Sequence, residues 1–487
     1  MTLISDFLHA TLITANELSC ILLTLLLLLL VIFTLSCNYA WMKKRTLLLL
    51  LPPGPCGVPL FGNLLSLDLE LHSYFMSLAQ IYGPIFKLQL GNKTGIVVSS
   101  PSLAYQALKD HNVTFVNHDV SAAGKAATYG GSDIVWCPYG PEWRMLRKVF
   151  KMLSNTTSDS IFMIRRKQVQ ETVRYFYDQN GSPGASLGAD FREVVSLMTE
   201  FMGKPNISDF YPGLTRFDLQ GIKRQMDGLA KRFDRIFDVM INQRLKIDKE
   251  GGNKESKDFL QFLLKLKDEG DSKTPFTMIH LKAMFTRYKS KVVSVQRLQL
   301  KNDTVISVAQ DELYIMYMMV GGTDTSSNTI EFAMAEIMNK LEVMRNTQQE
   351  LEAVVGKDNI VEESHIHKLP YLHAVIKETL RLHAPVPLLV PRCPSETRTR
   401  FLDGKWDYSG SDFSYFPFGS GRRICAGIAM AERMMMYSLA TLLHSFNWKL
   451  PQGEKLDLTE KFGIVLKKKI PLVAIPTPRL YDPSMYE

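Results

Sequence analysis

The chain has 487 residues, of which 46% are hydrophobic, so it can bury a large core and is not globally disordered. Its formal net charge is +8, from 57 basic and 49 acidic side chains. A surplus of that size suits nucleic acid, anionic lipid or an acidic protein. No zinc-finger spacing and no basic block interleaved with aromatics supports nucleic acid, so membrane and protein partners are preferred.

The N-terminal stretch Leu18 to Cys37 is uncharged and rich in leucine, and Lys43, Lys44 and Arg45 follow it. About twenty apolar residues span a bilayer core, and basic residues mark the cytoplasmic side. Residues 1–45 are therefore expected to be a retained signal-anchor transmembrane segment. The bulk of the chain then faces the cytosol. Trp41 sits where an interfacial aromatic belongs, and no small-x-small cleavage site is evident. Residues 46–62 contain Pro52-Pro53-Gly54-Pro55 and Pro59, which cannot continue a helix and predict a stiff hinge. Residues 63–487 form the predicted catalytic domain.

Within that domain, Pro84 to Leu90 and Thr94 to Ser99 flank Gly91-Asn92-Lys93 and predict a β-hairpin. Helical periodicity predicts helices around Trp143 to Met152, Met163 to Gln179, Leu219 to Leu245, Asp311 to Met344, Tyr371 to His383 and Ala426 to His444. The expected fold is mainly α with a minor β-sheet, as a single catalytic domain behind the anchor.

Six scattered cysteines, Cys20, Cys37, Cys56, Cys137, Cys393 and Cys425, make no CxxC pair, which argues for reduced thiols in a cytosol-facing domain. His365 and His367 lie two apart and suit a loop better than a metal-binding helix face.

The strongest local signal is Phe418-Gly419-Ser420-Gly421-Arg422-Arg423-Ile424-Cys425-Ala426-Gly427. Cys425 would stand at the N-terminus of the following helix, where the dipole and free N–H groups stabilise a thiolate. Gly421 and Gly427 leave room for a flat macrocycle against the backbone. Arg423 is placed to pair with a carboxylate, and Phe418 to shield the sulfur.

This segment resembles the cysteine-ligand loop FxxGxRxCxG of cytochrome P-450 enzymes at every fixed position. The resemblance implies haem (iron protoporphyrin IX) with Cys425 as axial thiolate, whose electron push promotes O–O cleavage. Gly321-Gly322-Thr323-Asp324-Thr325-Ser326 resembles the family's helix opening for dioxygen, with Asp324 and Thr325 as a catalytic proton relay. Glu378 and Arg381 form the ExxR pair, which in the family is buried and, with a further arginine such as Arg400, braces the cysteine loop. Trp143 and Arg147 form WxxxR and resemble propionate ligands, as does Arg392.

The match is similar throughout to plant microsomal members. Around Tyr129 to Asp133 and Asn206 to Phe210 it looks like the geraniol hydroxylase-like branch, which oxidises terpenoids or small phenolics. The implied reaction inserts one oxygen atom of O2 into a small lipophilic substrate. The implied partners are membrane lipid and NADPH-cytochrome P-450 reductase, which would pass electrons from NADPH, at the endoplasmic reticulum. Arg144, Arg147, Lys148, Lys151, Arg422 and Arg423 could form the basic docking face.

Three stretches depart from the family pattern. A segment is missing near 180–190, extra material lies at 284–317, and sheet strands are missing at 396–401. Two alternatives therefore stay open: a catalytically impaired product of altered splicing or gene assembly, and a haem-thiolate isomerase or dehydratase needing neither O2 nor reductase.

Overall fold

The computed structural model describes residues 23–28, 30–32, 34–35, 51–128, 130–156, 158–178, 196–232, 235, 275, 277, 280, 317–390, 392–393, 413–453 and 455–486. They fall in two compact units. The first is Met1–Asp68 with Phe75–Ser99, and the second is Leu69–Tyr74 with Ser100–Glu487.

In the first unit, β1 (Ile85–Leu90) and β2 (Lys93–Val98) pair antiparallel, with Leu90 opposite Lys93. The connection is therefore the two-residue turn Gly91-Asn92. Gly91 takes it at φ +56°, a conformation that glycine adopts without steric cost. Phe86 and Leu88 of β1 point inward and are buried. Of the predicted anchor, the described residues between 23 and 35 are helical, and their leucines, Val31 and Ile32 are exposed. Among the described residues no helix is long and apolar enough to cross a membrane.

The second unit is mainly helical. Its elements are α1 (Pro101–Tyr105), β3 (Asn117–His118), α2 (Ala122–Ala127), α3 (Pro141–Thr156) and α4 (Ser158–Asp178). A helix over 196–203 follows. Then come α5 (Tyr317–Asn339), α6 (Leu341–Val355), α7 (Pro370–Leu382), β4 (Arg392–Cys393), α8 (Ile428–Ser445) and β5 (Phe446–Lys449). The chain ends with β6 (Glu460–Lys461), β7 (Lys467–Lys468) and β8 (Ile475–Pro478). The minor sheet is present only as four separate two-stranded pairs among the described residues.

Helix α8 is the centre of the core. Met435, Met436, Leu439, Ala440 and Leu443 recur at helical spacing and are buried against Leu351 of α6, Leu372 and Ile376 of α7 and Ile337 of α5. Each such leucine or isoleucine contributes about 1.5–3 kcal/mol on burial.

The single helix expected from Asp311 to Met344 is two helices among the described residues. Lys340 leaves helical geometry at φ −126° and ψ 86°, and α6 starts immediately after it. That turn lets α5 and α6 both bury apolar faces against α8, which one straight helix could not do. Of the expected helix Leu219 to Leu245, residues 222–232 and 235 are described as helical, and the remainder lies outside the described residues. So do the three departures near 180–190, 284–317 and 396–401, apart from the end of the second.

Candidate active site

The cysteine loop closes on itself before α8 begins. The Cys425 N–H donates to the Phe418 carbonyl at 3.0 Å, and Gly421–Arg423 form a 3-10 turn. Gly421 is left-handed at φ +68°, and a Cβ there would collide with the Leu108 carbonyl. This corrects the expected role of Gly421. It does not line the cavity described below, and its missing side chain serves the close approach to Leu108.

Gly427 does line that cavity, and its N–H donates to Cys425 Sγ at 3.3 Å. The Cys425 thiol is exposed, yet protein atoms crowd it and burial pushes its pKa up, while the Gly427 N–H and the Arg147 guanidinium pull the other way. Both descriptions hold because the sulfur opens onto a cavity of about 360 Å³ that it helps to line.

That cavity is apolar along most of its wall, where Phe418, Met434, Val386, Leu389, Ile464 and Val465 contribute. One group of its lining residues is strongly basic: Arg147, Arg392 and Arg423, with Trp143 and His118 beside them. Arg423 donates to four carbonyls, those of Val116 at 2.7 Å, Ile134 at 3.1 Å, Val135 at 3.3 Å and Cys137 at 2.6 Å. Arg392 reaches the Phe115 carbonyl at 3.1 Å, Arg147 the Ile424 carbonyl at 2.7 Å, and the Trp143 indole N–H the Ile134 carbonyl at 3.0 Å. No aspartate or glutamate is among the described residues that line the cavity.

Burial, and then the charge of Arg423, lower Arg392 to about 10, and burial lowers Arg423 to about 10. The His118 ring contacts the Val135 carbonyl at 2.8 Å. Burial, with Arg423 and Arg392 nearby, drops its pKa to about 3. His118 is therefore neutral in the fold and binds a proton far more readily when unfolded. Its contribution to stability is complete above about pH 6.5 and is lost as pH falls toward about 3. In haem-free protein, His118→Gln is expected to flatten the acid limb of the unfolding free energy, read from urea titrations, by up to about 1.4 kcal/mol per pH unit over that window. An unchanged acid limb would count against a neutral His118.

The remaining predicted residues are divided. Trp143, Arg147, Arg392, Phe418, Arg423, Cys425, Gly427 and Thr325 line the cavity, and Asp324 does not. Asp324 instead accepts from Thr199 Oγ1 at 2.6 Å and pairs with Lys467 at 2.9 Å. The helix opening expected at Gly321-Gly322 is not seen, for α5 is continuous there. The room comes from the absent side chains, since a Cβ on either glycine would meet nothing. Thr325 turns its hydroxyl onto the Gly321 carbonyl.

Glu378 and Arg381 do form a bidentate pair, at 2.8 and 2.7 Å. Their side chains are 55% and 56% exposed, so the expected buried brace is corrected to a surface ion pair. Their i, i+3 spacing on α7 suffices to join them, whereas burial requires chain from elsewhere to cover them. Arg400 lies outside the described residues. Of the proposed basic docking face, Arg147 and Arg423 turn inward onto backbone carbonyls. Arg144, Lys148, Lys151 and Arg422 stay exposed. His118, Thr199 and Lys467 escaped the sequence reading because no local motif marks them.

A thiol at a helix start, facing a cavity with a basic lining cluster, meets its counterpart in a comparison with known families. Cytochrome P450 matches over residues 52–202, 312–399 and 397–474, well over half the chain. This chain belongs to the cytochrome P450 family.

The curated relatives agree. The flavonoid 3'-monooxygenase CYP75B137 of Crocosmia x crocosmiiflora is 32% identical over 88% of this chain and 93% of its own length. The geraniol 8-hydroxylase of Catharanthus roseus is 32% identical over 93% and 99%. The 7-ethoxycoumarin O-deethylase of Helianthus tuberosus is 32% identical over 88% and 94%. The first alignment runs to 506 positions although only part of this 487-residue chain takes part, so that relative carries residues with no counterpart here. The family match is interrupted between residues 202 and 312 and restarts at 397, where two of the departures fall.

Cytochromes P450 are oxidoreductases that use haem-thiolate iron, with electrons from NADPH supplied through a reductase. The residues present fit that group. An accessible sulfur suits the iron, an apolar wall suits the macrocycle, and guanidinium groups with no acidic residue among the described cavity lining suit the propionates.

Proposed function

We infer that the Cys425 sulfur would hold the haem iron as its thiolate ligand and that the chain hydroxylates a small lipophilic molecule. The observation that carries this reading is the pairing of an accessible Cys425 sulfur with three guanidinium side chains in one largely apolar cavity with no acidic group among its described lining residues. Arg147, Arg392 and Arg423, with Trp143, would hold the propionates, and Phe418 and Gly427 would flank the sulfur. When bound, haem iron supplies the activation of dioxygen. The chain's own part is to orient a substrate against Val386, Leu389, Ile464 and Val465, to exclude water, and to deliver protons with Asp324 as their source.

The relatives' substrates, a flavonoid, geraniol and 7-ethoxycoumarin, point to a terpenoid or phenolic hydroxylation. The test is the reduced carbon-monoxide difference spectrum, followed by titration with geraniol, a flavonoid and 7-ethoxycoumarin. A thiolate-type band and a substrate-induced shift are expected. A chain that takes up no haem would overturn the enzymatic reading.

The exposed aliphatic helix between 23 and 35 supports a membrane anchor for residues 1–45. With the basic run that follows, it favours the endoplasmic reticulum with the domain 63–487 facing the cytosol. The reductase would dock on Arg144, Lys148, Lys151 and Arg422. Reversing Arg144 and Lys148 to glutamate is expected to slow reduction about tenfold at low ionic strength and less in high salt. Stopped-flow reduction under carbon monoxide measures it, and a salt-independent rate would sink the assignment.

A second reading is favoured by one observation. Among the described residues, Glu378 and Arg381 form an exposed pair and not a buried brace for the cysteine loop, which supports a chain that holds haem weakly. Haem content per polypeptide separates the two readings.

A further inference from the structure

The described structure keeps Asp324 away from the cavity. Its carboxylate is not among the lining groups, and its Oδ2 is held by Thr199 and Lys467. Thr325, its neighbour in sequence, lines the cavity but gives its hydroxyl to the Gly321 carbonyl. Among the described residues, Thr199 both lines the cavity and touches the Asp324 carboxylate, at 2.6 Å. It stands on the helix over 196–203, more than a hundred residues before Asp324 in the chain.

Exposure rises outward along this row. Thr199 is 3% exposed, the Asp324 side chain 13% and the Lys467 side chain 27%. Lys467 also donates to Ser196 Oγ at 3.2 Å, one helical turn before Thr199. The row thus runs from the surface to the cavity, and α5 supplies only its middle member.

We propose that Thr199 is the hydroxyl that carries protons from Asp324 into the cavity, with Lys467 positioning Asp324 at the solvent end. The proposal rests on the reading of Asp324 as a proton source for oxygen activation. A hydroxyl can give one hydrogen bond and accept two, so it can take a proton and release another. In the described state Thr199 Oγ1 lies 2.6 Å from Asp324 Oδ2 and 2.9 Å from the Ser196 carbonyl, and its single proton goes to the shorter contact, Asp324. A proton that reaches Asp324 from solvent reverses that bond, so Oδ2–H donates to Thr199 Oγ1. Thr199 accepts this proton and releases its own hydroxyl proton to an acceptor in the cavity. Rotation of the hydroxyl then resets the pair, with Asp324 again a carboxylate. The monooxygenase reaction consumes such protons together with electrons from the reductase, putting one oxygen atom into product and the other into water.

The test uses the full chain, reconstituted with reductase and with 7-ethoxycoumarin as probe, in the variants Thr199→Val, Thr199→Ser and Asp324→Asn. Thr199→Val is expected to cut product per NADPH at least ~10-fold, with the lost electrons appearing as hydrogen peroxide. It should also change the solvent isotope effect on product formation. Thr199→Ser restores the hydroxyl and should restore coupling.

A second measurement needs no turnover. Unfolding midpoints of haem-free Thr199→Val, Asp324→Asn and the double variant should be non-additive, because the two side chains share a hydrogen bond. If Asp324→Asn uncouples the reaction while Thr199→Val does not, Thr199 is not the carrier and the proposal fails. If Asp324→Asn itself stays coupled, the underlying relay reading fails. Additive midpoints would remove the contact on which the proposal stands.

Discussion

Replacing Cys425 by alanine is expected to abolish the thiolate-type carbon-monoxide band and all NADPH-dependent product formation. The loss should be complete, because the band depends on that sulfur. Neither Cys56 nor Cys137 lines the cavity, and burial raises the Cys137 thiol to about 12, so it stays protonated and inert. The fold should survive, since Cys425 carries no cross-link and its sulfur accepts one backbone hydrogen bond, from Gly427. Circular dichroism and the urea midpoint of the haem-free variant should therefore match the parent. A collapsed fold, or a retained thiolate band, would each contradict the role assigned to the sulfur. Cys425→Ser separates ligand chemistry from space filling, because it keeps the volume and removes the thiolate.

The cysteine loop was legible because its chemistry is local. Ten consecutive residues place Phe418, Cys425 and Gly427 around one cavity, and the apolar spacing of Met435, Leu439 and Leu443 marks the helix behind them. The β1–β2 hairpin was legible for the same reason, with the turn held by Gly91.

What a motif does not carry depends on residues far apart in the chain. Asp324 and Thr325 are adjacent in sequence, yet one faces Lys467 and the other the cavity, because successive side chains on a helix diverge by roughly 100°. The pairing of Glu378 with Arg381 followed from i, i+3 geometry, but whether the pair is buried depends on chain from another region. Gly421 looked like a site for a flat ligand, and only the approach of the Leu108 backbone shows the other use of a missing Cβ. Arg423 was expected to face a carboxylate. Its four carbonyl partners, spread from Val116 to Cys137, could not be read from a motif.

Those four bonds make Arg423 the position where a single truncation should do most damage to the fold. Its guanidinium ties the segment from Val116 to Cys137 to the turn that precedes Cys425 and lies 4.8 Å from the Trp143 ring. Arg423→Ala leaves the Val116 and Cys137 carbonyls, both on buried residues, without that donor. Each unsatisfied buried acceptor costs about 1–3 kcal/mol. Water entering the gap offsets part of this, so a net loss of about 3–5 kcal/mol is expected. Against a typical stability of about 5–15 kcal/mol, that is enough to depress soluble yield and haem uptake together.

Arg423→Lys is the informative companion. A lysine keeps the charge but offers a compact ammonium in place of the planar fork, so it cannot reach all four carbonyls at once. It should recover part of the urea midpoint and less of the haem affinity. The opposite order, full haem affinity with an unrecovered midpoint, would show that Arg423 serves the fold alone. Arg392→Ala supplies the contrast, because its two carbonyl contacts, at 3.1 and 3.4 Å, are fewer and longer. That variant should lose haem affinity with a smaller change in midpoint, which assigns Arg392 chiefly to the ligand and Arg423 to both ligand and loop.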